Sequence, residues 1–443
     1  MASEPYDIVG VGIGPFNLAL AALADPVPDL RCLFLDAKPE FSWHPGMLLA
    51  GTTLQVPFLA DLVTLADPTS RWSFLNYLRQ HDRLFPFYFS ERFHVPRREY
   101  DHYCRWVSTE LDSCEFGARV VAVRRTGDLF EVTYEKSGAE HTVLARNLVL
   151  GVGTEPVLPE PLTKLDSDRV VHSSGYLGRR AAIGQLADVT VVGAGQSGAE
   201  IFLDLLREAQ EHGRRVRWIT QTPFAPMEYS KLGLEHFTPA YTEFFRRLPP
   251  DVRDATVPAQ WQLYKAISEQ TIAEIFDVLY EQSVGGQWPA AVLLPEVSVI
   301  AAAEDANGLE LSCRHETQDS EFSVRTDAIV AATGYAARQP ELLAPIFGEI
   351  AWDDRGRYQI DADYRVSFVD ESAAGLYVQN AELHTHGVGA PDLGLGAHRA
   401  AVILNAVTGR TTYRLPARTS FTTFGAPAPD PESEEPRVAV RAR

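Results

Sequence analysis

The chain has 443 residues, 45% hydrophobic and 22% charged, an ordinary balance for a soluble globular protein. At ~150 residues per domain this suggests about three domains. With 40 Lys+Arg against 59 Asp+Glu the formal net charge is −19, which disfavours general binding to nucleic acid or an anionic membrane, since both polyanions would be repelled over most of the surface.

No apolar run approaches the ~20 residues of a membrane span. The short acidic start, Met1 to Tyr6, lacks the basic beginning and apolar centre of a signal peptide. Cys32, Cys104, Cys114 and Cys313 are widely spaced, with no zinc-like pattern, so thiols packed as small hydrophobes and no metal are expected. These features together give the expectation of a cytoplasmic protein.

The first strong pattern is Asp7-Ile-Val-Gly-Val-Gly-Ile-Gly-Pro15, followed by a helical run, Phe16 to Ala24, and an apolar strand, Arg31 to Asp36. Strand, glycine turn, helix, strand is a βαβ unit whose Gly10, Gly12 and Gly14 let backbone N–H groups meet a pyrophosphate. Asp36 stands where a ribose-binding acid belongs. The third glycine of G-x-G-x-x-G is replaced by Pro15.

A second unit, Asp188 to Gly198, has the full spacing at Gly193, Gly195 and Gly198, with Gln196 and Ser197 opening the helix Ala199 to Leu206. Its next strand, Val216 to Thr220, ends without an acid. That absence, with Arg214, Arg215 and Arg217 nearby, favours NADPH over NADH, because an acid there would repel a 2′-phosphate; the alternative is that these arginines are solvated surface charges. Glu269 to Tyr280 has helical periodicity and is read as a cap over the cleft, outside the nucleotide folds. Asp327 to Tyr335 reads as a buried strand ending at a glycine turn that carries Thr333, Gly334 and Tyr335. The tail from Gly425 is Pro- and acid-rich and is expected to be disordered.

The expected fold is α/β, with two Rossmann-like dinucleotide-binding domains and a smaller, mainly helical substrate domain. The FAD domain is assigned to residues 1–185 and 335–424, the NADPH domain to 186–222 and 295–334, the helical region to 223–294 and the tail to 425–443.

Together these motifs resemble the flavin-dependent N-hydroxylating monooxygenases of siderophore biosynthesis, the lysine/ornithine N-monooxygenase family, over roughly Tyr6 to Phe424. The resemblance is carried by Gly10-Val-Gly-Ile-Gly-Pro-Phe-Asn17, Phe41-Ser-Trp-His-Pro-Gly-Met47, Leu54-Gln-Val-Pro-Phe-Leu-Ala-Asp-Leu62, Asp67-Pro-Thr-Ser70 with Ser73-Phe-Leu-Asn-Tyr77, Gly193-Ala-Gly-Gln-Ser-Gly-Ala-Glu200 and Ala332-Thr-Gly-Tyr335. It implies FAD reduced by NADPH, capture of O₂ as a C4a-hydroperoxide, and attack of a neutral amine on its distal oxygen in an enclosed site. It places Trp43, His44, Met47 and Gln55 at the flavin, with Gln55 and His44 as the candidate catalytic side chains; a histidine such as His44, taken alone, is more often a packed structural one. Relatives are commonly tetramers or dimers, so a homo-oligomer is expected.

Within the resemblance, the lysine that binds the substrate carboxylate in amino-acid hydroxylases is replaced by Ala60. Two asparagines fall on Leu234 and Leu263. A carboxylate there would be dehydrated and unpaired. The expected substrate is therefore a diamine, cadaverine first and putrescine next, closest to the enzymes of desferrioxamine-type pathways. Its distal ammonium needs an acidic, hydroxyl or aromatic partner, with Glu228, Tyr229, Glu235, Tyr241 and Asp392 as candidates. The alternatives are a lysine or ornithine side-chain N-monooxygenase, and a non-catalytic nucleotide-sensing protein. A disulfide reductase would need a cysteine pair at short spacing.

Overall fold

The structure, a computed structural model, describes residues 4–426. From residue 427 the expected disordered tail lies outside the described residues. No helix among them is long and apolar enough to cross a membrane.

The strand Tyr6–Val11 lies in the middle of the first sheet, parallel to Cys32–Asp36 on one side and Ala139–Leu150 on the other. Its apolar run is continuous because both faces are covered. Ile8 points into the layer of helix Pro15–Ala24, while Val9 and Val11 point into the opposite layer. Gly375–Val378 joins next to Ala139–Leu150, and the antiparallel Arg365–Val366 closes that edge, so the last third of the chain returns to the first sheet.

The second sheet has five parallel strands in the order Ala291–Leu294, Arg215–Ile219, Asp188–Val192, Ala328–Ala331, Val170–His172. Two expectations are corrected here. Val170–His172 belongs to this sheet, so the second domain begins upstream of residue 186; a three-residue edge strand carries too little pattern to be read in sequence. Helix Glu269–Gln282 is the crossover between Arg215–Ile219 and Ala291–Leu294 and packs through Ile275 into the second domain's core, so it belongs to the nucleotide fold and does not cap the cleft.

The remaining helical region is Gly233–Phe237, Pro239–Arg246 and Pro250–Ala259. Its small core of Tyr241, Phe245 and Leu263 closes on Val388 from the returning chain. The two crossings between domains run side by side, Glu155–Pro156 pairing with Tyr335–Ala336.

Candidate active site

At the first glycine turn, Gly12 has φ +86°, and a Cβ there would lie 2.5 Å from the Gly151 carbonyl oxygen. Gly14 is the N-cap of helix Pro15–Ala24 and has nothing closer than 3.9 Å to an added Cβ, leaving room for a ligand. Pro15 replaces the third glycine without cost because the first helical residue has no intrahelical use for its N–H. Asn17 closes the turn from beneath: its Nδ2 donates to Gly12 O at 2.8 Å, and its Oδ1 accepts from Gln379 at 2.6 Å. Asp36 stands at the strand end, where its Oδ2 accepts the Ile13 N–H at 2.7 Å and its Oδ1 the Lys38 N–H at 2.8 Å. It shapes the turn, and each oxygen keeps a lone pair for a ribose hydroxyl.

His44 adopts a left-handed conformation at φ 48° and caps the tight turn Pro45–Met47. Gly46 allows that turn to press on the second domain, since a Cβ there would lie 2.0 Å from Ser174 O. The His44 ring packs edge-on against Trp43 at 4.8 Å and Tyr335 at 6.0 Å, so the two domains meet at this histidine. Its ring opens onto the cleft, yet surrounding protein and then the Arg97 and Lys38 charges lower its pKa to about 4, so it is neutral at physiological pH. Met47 is 3% exposed and packed in the second domain's core. Its side chain pins the turn to that core. The Gln55 Nε2 is a buried donor without a partner among the described residues, an arrangement that native structures keep for a ligand or water.

At the second turn, added Cβ atoms would lie 2.1 Å from Ala332 O at Gly193, whose φ is +140°, and 2.4 Å from Gly193 O at Gly198. Gly195 is the N-cap of helix Gln196–Ala209, with Ser197 in its first turn. The Gln196 side chain is fully engaged, donating to Glu200 at 2.8 Å and Thr271 at 2.9 Å and accepting from Ser268 N at 2.8 Å, so only its backbone N–H remains for a phosphate. Arg97 reaches across from the first domain to Glu200 in a bidentate pair at 2.6 and 2.8 Å. Thr333 donates to Val157 O at 2.5 Å and His172 contacts Gly334 O at 3.1 Å, holding Tyr335 at the cleft mouth. Both cradles and the orphaned Gln55 donor fit two dinucleotides, one at each turn.

The arginines do not take part as expected. Arg217 is 7% exposed and locked to Asp188 at 3.0 Å and Thr190 at 2.9 Å. Arg214 is buried against backbone carbonyls, and Arg215 faces Asp188 at 3.4 Å. Arg214 precedes strand Arg215–Ile219, Arg215 opens it, and Arg217, its middle residue, reaches to Asp188 at the start of the neighbouring strand, whereas nucleotides bind beyond the carboxyl ends of parallel strands. Arg217→Gln is accordingly expected to leave the KM for NADPH within about twofold. Denaturant titration should show about 1–3 kcal/mol of lost stability, as Asp188 loses a buried partner.

On the substrate side, Ala60 is buried, and Asp61 beside it fixes the loop by accepting from Val63 N, Thr64 N and Phe74 N at 2.9, 2.6 and 2.7 Å. The strap Gly387–Leu395 spans the region. Val388 packs with Leu263, the turn bearing Leu234 packs on Gly387–Gly389, and Gly394 lies against both Asp392 and Ala60. Three of the five candidate partners are already committed. Glu228 is exposed and accepts from Ser230 N at 2.5 Å, Glu235 accepts from Phe421 N and Thr422 N at 2.7 and 2.8 Å, and the Tyr241 hydroxyl pairs with Gln260 at 3.0 Å. Asp392 accepts a hydrogen bond from Gly394 N at 2.7 Å on one oxygen; no described residue donates to the other. Enclosure by protein pushes its pKa up to about 6 against the pull of the Gly394 N–H and the Arg399 charge. It is near enough to Tyr229 to push that hydroxyl up in turn, after burial, to about 12.

Two nucleotide cradles, one in each domain, define a two-dinucleotide oxidoreductase. Residues 4–337 match the family described as L-lysine 6-monooxygenase/L-ornithine 5-monooxygenase. The chain is 47% identical over 437 residues to the rhizobactin siderophore biosynthesis protein RhbE of Rhizobium meliloti, covering 96% of each. It is 43% identical over 424 residues to a putrescine N-hydroxylase of Shewanella oneidensis, covering 95% of this chain and 84% of that one. The crystal structure of DfoA with FAD, a cadaverine monooxygenase of the desferrioxamine pathway from Erwinia amylovora, superposes with a TM-score of 0.93 at 39% identity, covering 97% of this chain and all of DfoA. The chain therefore belongs to the lysine/ornithine N-monooxygenase family, as a flavin-dependent N-monooxygenase that uses FAD and NADPH.

Proposed function

We propose that this enzyme hydroxylates one terminal nitrogen of a primary diamine, cadaverine ahead of putrescine, to supply an N-hydroxydiamine for a hydroxamate siderophore. The observation that carries the reading is an inversion of polarity. Where the family's amino-acid hydroxylases place a lysine, this chain has Ala60, and the strap beside it contributes the Asp392 carboxylate, one oxygen of which receives no hydrogen bond from the described residues. An α-carboxylate would meet Asp392 as a like charge, while a distal ammonium would meet a partner.

The balance is one amine, one O₂, one NADPH and one proton in, and one hydroxylamine, one water and one NADP⁺ out. The bound FAD supplies the oxygen chemistry. The protein's share is to hold the amine at the flavin, to exclude water, and to favour the neutral amine, whose pKa in water is ~10.4. Trp43, Gln55 and the first glycine turn would hold the flavin, with Gln55 Nε2 the donor awaiting it. Neutral His44 would pack there without delivering a proton. Leu234 and Leu263 would line the methylene chain, with Asp392 and Tyr229 at its far end.

The names of DfoA and of the putrescine N-hydroxylase support a diamine and divide on its length. One methylene is worth ~0.8 kcal/mol of burial, so a preference of about fourfold is the scale expected. The test is hydroxylated product from cadaverine, putrescine, lysine and ornithine under one set of conditions. Both diamines are expected to exceed both amino acids by about 100-fold or more in kcat/KM, the cost of a buried unpaired carboxylate. Efficient turnover of lysine or ornithine, with the diamines inert, would overturn the reading.

A further inference from the structure

The five strands of the second sheet run parallel, and in such sheets a nucleotide binds beyond their carboxyl ends. The segments leaving those ends, residues 173–178, 193–198, 220–224, 295–298 and 332–335, contain no lysine or arginine and include the acidic Glu296. NADPH carries a pyrophosphate and a 2′-phosphate into a protein of net charge −19. A helix N-terminus offers about half a charge, too little to balance that load. With Arg214 and Arg215 at the opposite edge and Arg217 tied to Asp188 and Thr190, the compensating cation must come from a segment outside the sheet.

One such segment folds against the glycine turn. Ser268 N donates to Gln196 Oε1 at 2.8 Å, and the Lys265 carbonyl oxygen lies 3.1 Å from where a Gly195 Cβ would stand. Gly195 is the N-cap of the nucleotide-domain helix, the place where a pyrophosphate sits in this fold. Lys265 is exposed, forms no ion pair with any described residue, and has its Nζ 5.3 Å from the centre of the Tyr264 ring. The aromatic face steadies the ammonium without neutralising it.

We propose that Lys265 is the cation that pairs with the pyrophosphate of NADPH, a contact distinct from the 2′-phosphate preference that the sequence links to Arg217. A lysine acts here as a flexible point charge, which suits a phosphate bridge approached from solvent. Because the pyrophosphate is common to both nicotinamide dinucleotides, Lys265 contributes equally to NADPH and NADH, and the choice between them lies elsewhere on the turn.

The test is calorimetric titration of the FAD-loaded protein with NADP⁺ and with NAD⁺. Lys265→Met is expected to weaken both about tenfold, the scale of one exposed charge-assisted contact, and to flatten the dependence of Kd on salt; Lys265→Arg should bind nearly as the parent does. Lys136→Met, on a hairpin of the first sheet, removes the same charge from the chain and should leave both affinities unchanged. Unaltered NADP⁺ affinity in Lys265→Met would overturn the proposal. So would weakening of NADP⁺ alone, which moves the contact to the 2′-phosphate, and so would equal weakening in Lys136→Met, which reduces the effect to net charge.

Discussion

Asp392→Asn is expected to lower kcat/KM for cadaverine and putrescine by about 100-fold or more, while FAD content and the reduction of flavin by NADPH stay unchanged. Removing one member of an enclosed charge pair costs roughly 2–5 kcal/mol, much of it the penalty of a stranded ammonium. The pH dependence separates this from loss of shape. With the Asp392 pKa pushed up to about 6 in the free protein, kcat/KM for a diamine should fall as pH drops through that value, since the neutral acid no longer attracts the ammonium. Arg399, Tyr229 and the Gly394 N–H are the groups that bear on this titration. In Asp392→Asn that acid limb should vanish, and a monoamine such as n-pentylamine, which has no distal charge, should lack it in both proteins. The stability linkage has the opposite sense: a raised carboxyl pKa contributes stability below the ordinary value of 3.8 that is lost as pH rises through about 6. Bound cadaverine should therefore raise Tm more at pH 8 than at pH 5.5. Diamine kcat/KM within threefold of the parent would remove Asp392 from the site.

The glycine turns were readable because backbone sterics act locally: Gly12, Gly193 and Gly198 are each required by a carbonyl that leaves no room for a Cβ. The strands leading to them were equally legible from unbroken apolar runs. What sequence could not supply was the end of a strand that faces a ligand. Arg217 is close to the second motif in number, but its side chain leaves the middle of its strand and is pinned to Asp188 at the amino end of the neighbouring one. Helix Glu269–Gln282 showed its period but not its layer, because an amphipathic stripe reports that a face is buried without naming what buries it. The acids were indistinguishable for a similar reason. Glu228 and Glu235 are committed to backbone N–H groups that only the fold brings to them, which leaves Asp392. Asn17 lay inside a motif already singled out, but two of the four groups it joins, Val149 O and the Gln379 amide, come from distant parts of the chain.

Arg399→Met should be the most destabilising single change at the strap, at about 3–5 kcal/mol near neutral pH. Arg399 and Glu382 are 1% and 0% exposed and approach to 2.7 Å. The guanidinium also donates to Ala390 O at 2.6 Å and lies over the rings of Phe16 at 4.5 Å and Tyr364 at 5.5 Å. It thus joins the helix of the first glycine turn to the strap that carries Asp392. Methionine fills most of the volume but leaves Glu382 buried without its counter-charge. Burial already pushes the Glu382 carboxyl up, with Arg399 the largest force pulling it back, so the variant should take up a proton there in the folded state. A folded-state pKa above the unfolded value, ~4.3, means the folded variant holds the extra proton, so its stability declines as pH rises through that window. The deficit against the parent protein should therefore be largest at pH 8 and shrink towards pH 5, and Glu382→Gln in the Arg399→Met background should recover part of it at pH 8. Denaturant titrations of the three proteins at both pH values measure this directly; a deficit independent of pH, unrelieved by the second substitution, would mean that the arginine acts through packing on Phe16 and Tyr364 alone.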